Sequence, residues 1–287
     1  MVLPLPTSLS PSKVSSFTDC ALAFRFSAID HLPEPPSVAA TRGTLVHAAL
    51  ERLFTLEPAE RTKPVAARCL TEAFEELEDH PELAGLELDE DGLATLHAEA
   101  EVLLEKYFRL EDPTRITPIG IELKLEIELA GVKLRGIIDR LELDEDGELV
   151  VTDYKTGRAP GERQEQQRLA GVAFYSLLCE RLFGRRPARV QLLYLADPVA
   201  IISTPTDRST RGVERKLAAV WTAVERACER EDFRPNPSRL CDWCGFKAYC
   251  PSFGGDVALA DAHRMDWELA HAEARGEAHA AVAVAVA

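Results

Sequence analysis

Two short segments of the sequence combine carboxylates with a lysine at a spacing that suits divalent-metal chemistry. One reads GIIDR and carries Asp139, and the other reads VVTDYKTG and carries Asp153 and Lys155. The turn sequence DEDG at 144–147 predicts a hairpin that places the two carboxylates on adjacent antiparallel strands, a few ångströms apart. Close carboxylates repel unless a proton or a cation lies between them, and Mg²⁺ prefers oxygen ligands. The pattern therefore predicts a Mg²⁺ or Mn²⁺ site. An isolated D-x-K is more often a solvent-facing ion pair, but the G-x-x-D-R strand beside it favours metal chemistry.

Cysteines form a second group of candidate ligands. The sequence RLCDWCGFKAYCP places Cys241 and Cys244 at C-x-x-C spacing, followed by Cys250. Thiolates at this spacing bind a tetrahedral metal ion or an iron–sulfur cluster. A fourth ligand is needed, and Cys20 is a candidate that spacing alone does not single out. The remaining cysteines fall singly in apolar helical patterns typical of buried small hydrophobic residues: Cys69, Cys179 and Cys228.

Hydrophobic periodicity indicates the elements that position these residues. Helical periodicity dominates the first part of the chain and then gives way to the alternation of β-strands. The predicted helices cover 10–29, a segment from about 41, 63–79, 91–110, 162–183 and 207–231. The predicted strands cover 119–129, with one buried face, 132–143 and 148–154 as an antiparallel meander, then 189–195 and, more weakly, 200–204. This order indicates an α/β core sheet with helices on both faces.

The net charge of −15 argues against broad, nonspecific binding to a polyanion. It does not exclude a nuclease, because a carboxylate site filled by a divalent cation is locally positive. Arginines cluster in two places and are interpreted as solvated surface residues: Arg158, Arg163 and Arg168, then Arg181, Arg185, Arg186 and Arg189. No apolar run has the length of about 18 residues that a membrane span needs. The first residues lack the pattern of a secretory signal, so a cytoplasmic protein is expected.

Read together, GIIDR and VVTDYKTG resemble the motifs of the RecB-type exonuclease family within the PD-(D/E)xK nuclease superfamily. That family has a G-x-x-x-H helix, similar to Gly43–His47 here, and an acidic residue ahead of G-x-x-D-R, similar to Glu122. Taken alone, His47 would more often be a core histidine and Glu122 a solvated strand residue. The resemblance implies that Lys155 assists catalysis, that Glu122 supports the site, and that the metal is bound by these groups: His47, Asp139, Asp153 and the Tyr154 carbonyl.

A further family motif, Q-x-x-x-Y, is present only in part. Tyr175 matches its tyrosine, but the position of the glutamine is occupied by Gly171. Gln167 lies one helical turn earlier and is the candidate replacement. The resemblance therefore implies supporting roles for Tyr175 and Gln167.

An iron–sulfur subset of this family is similar in its cysteines, with one before the nuclease motifs and three after them. Cys20 precedes the motifs here, and the C-x-x-C-x(5)-C-P segment follows them. The resemblance implies a [4Fe–4S] cluster of structural role, bound by Cys20, Cys241, Cys244 and Cys250. Zn²⁺ on the same thiolates is the alternative, because spacing does not separate the two.

The predicted fold is a PD-(D/E)xK restriction-endonuclease-like α/β core, in which a mixed sheet with an antiparallel meander is flanked by helices. A single nuclease domain is predicted over 1–255, with a helical part at about 10–110, a catalytic core at about 115–232 and an iron–sulfur segment at 233–253. The Ala-rich tail, 256–287, is typical of a helix or of a disordered segment and is assigned no chemistry.

The predicted function is that of a Mg- or Mn-dependent exonuclease acting on single-stranded DNA ends in repair or recombination. The sequence contains no Walker A motif, so any helicase is expected to be a separate partner. The alternatives are a catalytically silent nucleic-acid-binding module, an accessory subunit of a helicase–nuclease complex, or a zinc-stabilised scaffold protein.

Overall fold

The computed structural model describes residues 2–285, with the side chains of 162–170 and 272–285 outside this description. The chain divides into two compact units. One consists of Pro36–Lys216 and contains the sheet, and we call it the sheet unit. The other combines Met1–Pro35 with Leu217–Ala287 and contains the four candidate cysteine ligands, and we call it the cysteine unit.

The helices and strands follow the predicted order closely. The helices are α1 (Pro11–Asp19), α2 (Ala21–Ala28), α3 (Val38–Thr55), α4 (Lys63–Leu77), α5 (Pro81–Ala84), α6 (Glu90–Tyr107), α7 (Glu162–Phe183), α8 (Asp207–Arg230) and α9 (Val257–Ala285). The strands are β1 (Thr117–Leu129), β2 (Val132–Leu143), β3 (Leu149–Lys155), β4 (Arg189–Tyr194) and β5 (Val199–Ser203). Among the residues described, no helix combines the length and the apolar character that crossing a membrane requires.

The sheet unit is built on a five-stranded mixed sheet in the order β1-β2-β3-β4-β5. All neighbouring strands are antiparallel except β3 and β4, which are parallel. A parallel pair needs a crossover connection, and α7 supplies it. The predicted meander and the mixed sheet flanked by helices are thus confirmed.

The buried face predicted for β1 is only partly buried. Leu125 is buried, Ile119 is 50% exposed, and the other apolar residues of that face are half-buried. β1 is an edge strand, so it has a partner on one side only. A register shift between Pro118 and Gly120 also interrupts the alternation at its start.

Helices α3, α4 and α6 form a layer whose apolar faces share one core. Ser37 caps α3, because its hydroxyl oxygen accepts a hydrogen bond from the Ala40 N–H at 3.2 Å. Asp89 caps α6 in the same way, accepting from the Gly92 N–H at 2.8 Å. The core of this layer includes Tyr154 of β3. Packing of α3 therefore fixes the distance between its polar residues and the end of β3.

In the cysteine unit, the single helix predicted over 10–29 is two helices. Cys20 has an extended backbone, φ −158° and ψ 107°, and separates α1 from α2. The break turns α2 so that its apolar residues enter the core of this unit: Leu22, Phe24 and Phe26, with Val224, Cys228 and Phe246. Ser10 caps α1 as its position predicts, accepting from the Lys13 N–H at 3.2 Å.

The Ala-rich segment is helical as α9, and buried ion pairs anchor its first turns within the cysteine unit. Asp30 is completely buried and accepts hydrogen bonds from Arg25 Nε at 3.0 Å and from Arg264 Nε at 3.1 Å. Arg25 also contacts Asp261 of α9. Each buried charge is thereby paired, which limits its desolvation cost.

Candidate functional site

Three potential metal ligands converge in the sheet unit. His47 of α3, Glu122 of β1 and Asp139 of β2 each offer a ligand atom, and these atoms lie within 4.8 Å of one another. His47 Nδ1 is 3.7 Å from Glu122 Oε1 and 3.6 Å from Asp139 Oδ2. One nitrogen and two carboxylate oxygens from three elements form a donor set that suits a divalent cation.

The orientation of His47 is set by the backbone of β3. Its Nε2 lies 3.1 Å from the Tyr154 carbonyl oxygen, which can only accept, so this nitrogen carries the hydrogen. Nδ1 therefore faces the two carboxylates, in the arrangement typical of a metal-binding histidine. Burial alone would lower the pKa of His47, but the hydrogen bond with Glu122 and the charge of Asp139 outweigh it and raise that pKa. The site thus attracts positive charge.

The glycine of the G-x-x-x-H segment allows α3 to approach the end of β3. A Cβ atom at Gly43 would lie 3.3 Å from Thr156 Oγ1, a tighter contact than most side chains make. Gly43 and His47 are one helical turn apart, so they share a helix face. The close approach at Gly43 holds His47 within reach of Tyr154.

Asp139 and Asp153 face each other across β2 and β3, as the turn sequence predicts. The antiparallel register pairs Arg140 with Thr152, so the next residues along the two strands, Asp139 and Asp153, lie opposite each other. Asp139 accepts a hydrogen bond from the Tyr154 N–H at 2.6 Å. Burial, followed by the charge of Asp153, raises the pKa of Asp139 to about 7. A bound cation would relieve both effects.

Lys155 lies beside Asp153, on the strand face that alternation predicts. Its ammonium group contacts the Asp153 carboxylate. Burial lowers the pKa of Lys155, but the charge of Asp153 outweighs burial and raises it. Lys155 is therefore a protonated donor at the edge of the site.

Glu122 has a strained backbone. Its φ is 44°, in the left-handed region that residues other than glycine rarely adopt, although it lies within β1. Such a conformation costs about 1–3 kcal/mol and is often found at active sites. The strain supports a role for Glu122 independently of its sequence position.

A buried network beneath the site is centred on Arg140, the arginine of the G-x-x-D-R segment, and includes two glutamates that the motifs did not single out. Arg140 is fully buried and donates hydrogen bonds to the Tyr154 hydroxyl at 2.6 Å and to Glu111 at 2.8 Å. It also pairs with Glu142 at 2.5 Å. This network holds Tyr154, whose backbone contacts Asp139 and His47. A charged residue in the apolar strand IIDRL is the signal that indicates such a buried pair.

Tyr175 of α7 faces the acidic residues. Burial, followed by the charges of Asp153 and Asp139, raises its pKa. Its ring packs where Gly136 leaves space, since a Cβ at Gly136 would lie 3.1 Å from Tyr175 Cε1. A Cβ at Gly171 would meet nothing within 4 Å, so that position is open. The side chain of Gln167 lies outside the described residues.

The four candidate cysteine ligands line one cavity in the cysteine unit: Cys20, Cys241, Cys244 and Cys250. Apolar residues complete the lining, including Phe26, Phe246 and Phe253. Four thiols around one cavity form a donor set that fits a thiolate-bound metal group.

The N–H of Ser238 donates to Cys241 Sγ at 3.3 Å, an interaction that stabilises a thiolate. The other three cysteines are buried, as predicted: Cys69, Cys179 and Cys228. Burial raises the pKa of each of these thiols, so they stay protonated and unreactive.

The fold and the site together define a nuclease. The family model of the PD-(D/E)XK nuclease superfamily matches residues 8–251. The chain belongs to this superfamily, whose members use divalent metals, and the His47, Glu122 and Asp139 group is a candidate site for such a metal.

Two curated relatives come from mycobacteriophages. The chain is 26% identical over 266 residues to the Gene 69 protein of Mycobacterium phage D29, covering 85% of this chain and 96% of that protein. It is 29% identical over 137 residues to the Gene 69 protein of Mycobacterium phage L5, covering 47% of this chain and 45% of that protein. Among solved structures, it is similar to a "Putative exonuclease" from Eubacterium rectale, with a TM-score of 0.52, 13% identity, and 83% and 87% of the two chains covered. That likeness shows the shared fold.

Proposed function

We propose that this protein is a Mg²⁺- or Mn²⁺-dependent deoxyribonuclease of the RecB type, acting as an exonuclease on single-stranded DNA ends in repair or recombination. The observation that carries the proposal is the convergence of His47, Glu122 and Asp139 beside the Asp153–Lys155 pair. A cytoplasmic location and a separate helicase partner are part of the proposal.

The metal ligands in this proposal are His47, Asp139, Asp153 and Glu122, with the Tyr154 carbonyl nearby. A divalent cation bound there would polarise a phosphate and lower the pKa of its bound water. His47 keeps Nδ1 directed at the carboxylates because Nε2 is held by the Tyr154 carbonyl. The Glu122 carboxylate would add a third ligand oxygen or would contact His47 Nδ1. The strained backbone at Glu122 places this carboxylate at the site.

Lys155 and Tyr175 act on the substrate in this proposal. The Lys155 ammonium stays protonated and donates to a phosphate oxygen or orients the attacking water. The Tyr175 hydroxyl stays neutral because its pKa is raised, so it is a hydrogen-bond donor at the same face. Gln167 is proposed to contribute in place of the family glutamine.

The cysteine unit is proposed to hold a [4Fe–4S] cluster on Cys20, Cys241, Cys244 and Cys250. The four cysteines line one apolar cavity, and the resemblance to the iron–sulfur subset favours this group over Zn²⁺. When bound, the cluster would link the break between α1 and α2 to the segment after α8 and so restrict the unfolded chain. Its role in this proposal is structural, because the proposed catalytic residues all lie in the sheet unit.

The test of the nuclease is degradation of end-labelled single-stranded DNA by anaerobically purified protein with Mg²⁺ or Mn²⁺. Wild type is compared with Asp153→Asn and with Asp79→Asn, a matched change at an exposed carboxylate of the sheet unit. Wild type and Asp79→Asn are expected to degrade the DNA from its ends, while Asp153→Asn is inactive. Equal activity of all three proteins would refute the assignment.

The second candidate function is a silent nucleic-acid-binding module or an accessory subunit of a helicase–nuclease complex. The observation that favours it is Gly171 at the position of the family glutamine. DNA binding by wild type and Asp153→Asn with no cleavage by either, in protein that retains its iron, would support this function instead.

A further inference from the structure

The part of α8 that belongs to the sheet unit carries a row of arginines in a strongly acidic chain. Arg208, Arg211 and Arg215 are exposed, and none forms a salt bridge with a residue whose side chain the structure describes. Positions three and seven residues apart on an α-helix lie within an arc of about 60°. The three guanidinium groups therefore share one surface, which we call the arginine face of α8.

The acidic residues that flank this row already form salt bridges with arginines outside the row. Asp207 is paired with Arg186, and Glu214 is paired with Arg181 at the end of α7. The hydrogen bond from Arg186 is the main cause of the lowered pKa of Asp207, and the charge of Arg211 contributes less. The arginine face thus keeps its positive charge, although the whole chain carries −15.

A row of like charges at these spacings opposes helix formation. Arg211 and Arg215 are four residues apart and Arg208 and Arg211 are three apart, which are the spacings at which side chains on a helix repel. The repulsion is relieved if a polyanion lies along the face. The exposed large apolar side chains of the described residues include none on α8, so the helix lacks the residues that insert into a membrane surface.

We propose that the arginine face of α8 binds the phosphate backbone of the DNA substrate, an inference that rests on the proposed nuclease function. Guanidinium groups bind phosphates through paired hydrogen bonds. From Arg208 to Arg215 the helix rises about 10 Å, close to the axial rise over three nucleotide steps of one strand. The contacts are to phosphate, so they position DNA without reading its sequence.

The test is equilibrium binding of a fluorescein-labelled single-stranded oligonucleotide in EDTA, across a series of salt concentrations. Wild type is compared with the triple variant Arg208→Gln, Arg211→Gln, Arg215→Gln. The matched control, which makes the same charge change at exposed arginines elsewhere in the sheet unit, is this triple variant: Arg68→Gln, Arg109→Gln, Arg115→Gln.

Loss of three phosphate contacts is expected to reduce the slope of log affinity against log salt by about 2, which corresponds to a loss of about 100-fold at 0.1 M salt. The control is expected to keep the wild-type slope. Equal losses in both triple variants would show that net charge alone matters and would overturn the proposal, as would an unchanged slope in the α8 variant. Loss of binding to anionic phosphatidylglycerol vesicles with unchanged DNA binding would overturn it in favour of a membrane.

The nuclease function and the arginine face can be refuted independently. Thermal unfolding checks that the α8 variant folds, and removal of like charges is expected to leave its midpoint unchanged or higher. Wild-type protein that binds DNA through this face but never cleaves it with Mg²⁺ refutes the nuclease and leaves the arginine face supported. If the protein cleaves DNA and the α8 variant binds it with unchanged affinity, the nuclease is supported and the arginine face is refuted.

Discussion

Replacement of Gly136 by alanine tests the packing that brings α7 onto the strand of Asp139. The added Cβ would lie 2.8 Å from Leu178 Cδ1 and 3.1 Å from Tyr175 Cε1, both closer than ordinary contact. Leu178 is completely buried, so it cannot move into solvent. Overpacking of this kind costs about 1–3 kcal/mol. Alanine suits a strand better than glycine by about 0.5–1 kcal/mol, which offsets part of the cost.

The net expectation for Gly136→Ala is a loss of about 0.5–2 kcal/mol, or roughly 1–3 °C in the unfolding midpoint. The control is Gly171→Ala on α7, where a Cβ meets nothing within 4 Å. Removing a helix-interior glycine there is expected to stabilise by about 1 kcal/mol. The two variants are compared by thermal unfolding and by Mg²⁺-dependent cleavage, which Gly136→Ala alone should reduce because Tyr175 is displaced. Equal stabilisation by both substitutions would refute the packing argument.

Three further outcomes are expected. Asp139 has a folded pKa of about 7 against 3.8 for a free carboxyl, so metal-free protein loses stability as pH rises through 7. Since Mg²⁺ requires the carboxylate, its addition should raise the unfolding midpoint more at pH 8 than at pH 6. Arg140→Met should destabilise the protein by about 3–5 kcal/mol in urea unfolding, because Glu111 and its neighbours lose their buried partner. Cys20→Ala should lose most of the bound iron and its absorbance near 400 nm, whereas Cys69→Ala should keep both; equal iron in the two proteins would contradict the ligand assignment.

Local patterns in the sequence were sufficient for most of the fold and for half of the site. The helical and alternating periods predicted the order of helices and strands, because one buried face repeats at a fixed interval in each. The turn DEDG and the strand alternation predicted that Asp139 faces Asp153 and that Lys155 lies beside it. These are contacts between residues near in sequence, so their geometry follows from the hairpin itself.

The rest of the site was decided by tertiary structure. The convergence of His47 and Glu122 on Asp139 depends on the packing of α3 and on a left-handed residue in β1, neither of which a local pattern encodes.

The break at Cys20 and the burial of Arg140 were also decided by tertiary structure. Cys20 interrupts a continuous helical pattern because α2 turns its apolar residues into a core supplied by distant segments. Arg140 is stable in an apolar strand because Glu142 of the same strand and Glu111, from the end of the helical layer, both pair with it. The sequence by itself determined the elements and the hairpin chemistry, and motif resemblance pointed to His47 and Glu122. Long-range packing, which joins distant segments, determined how these ligands meet and what supports them.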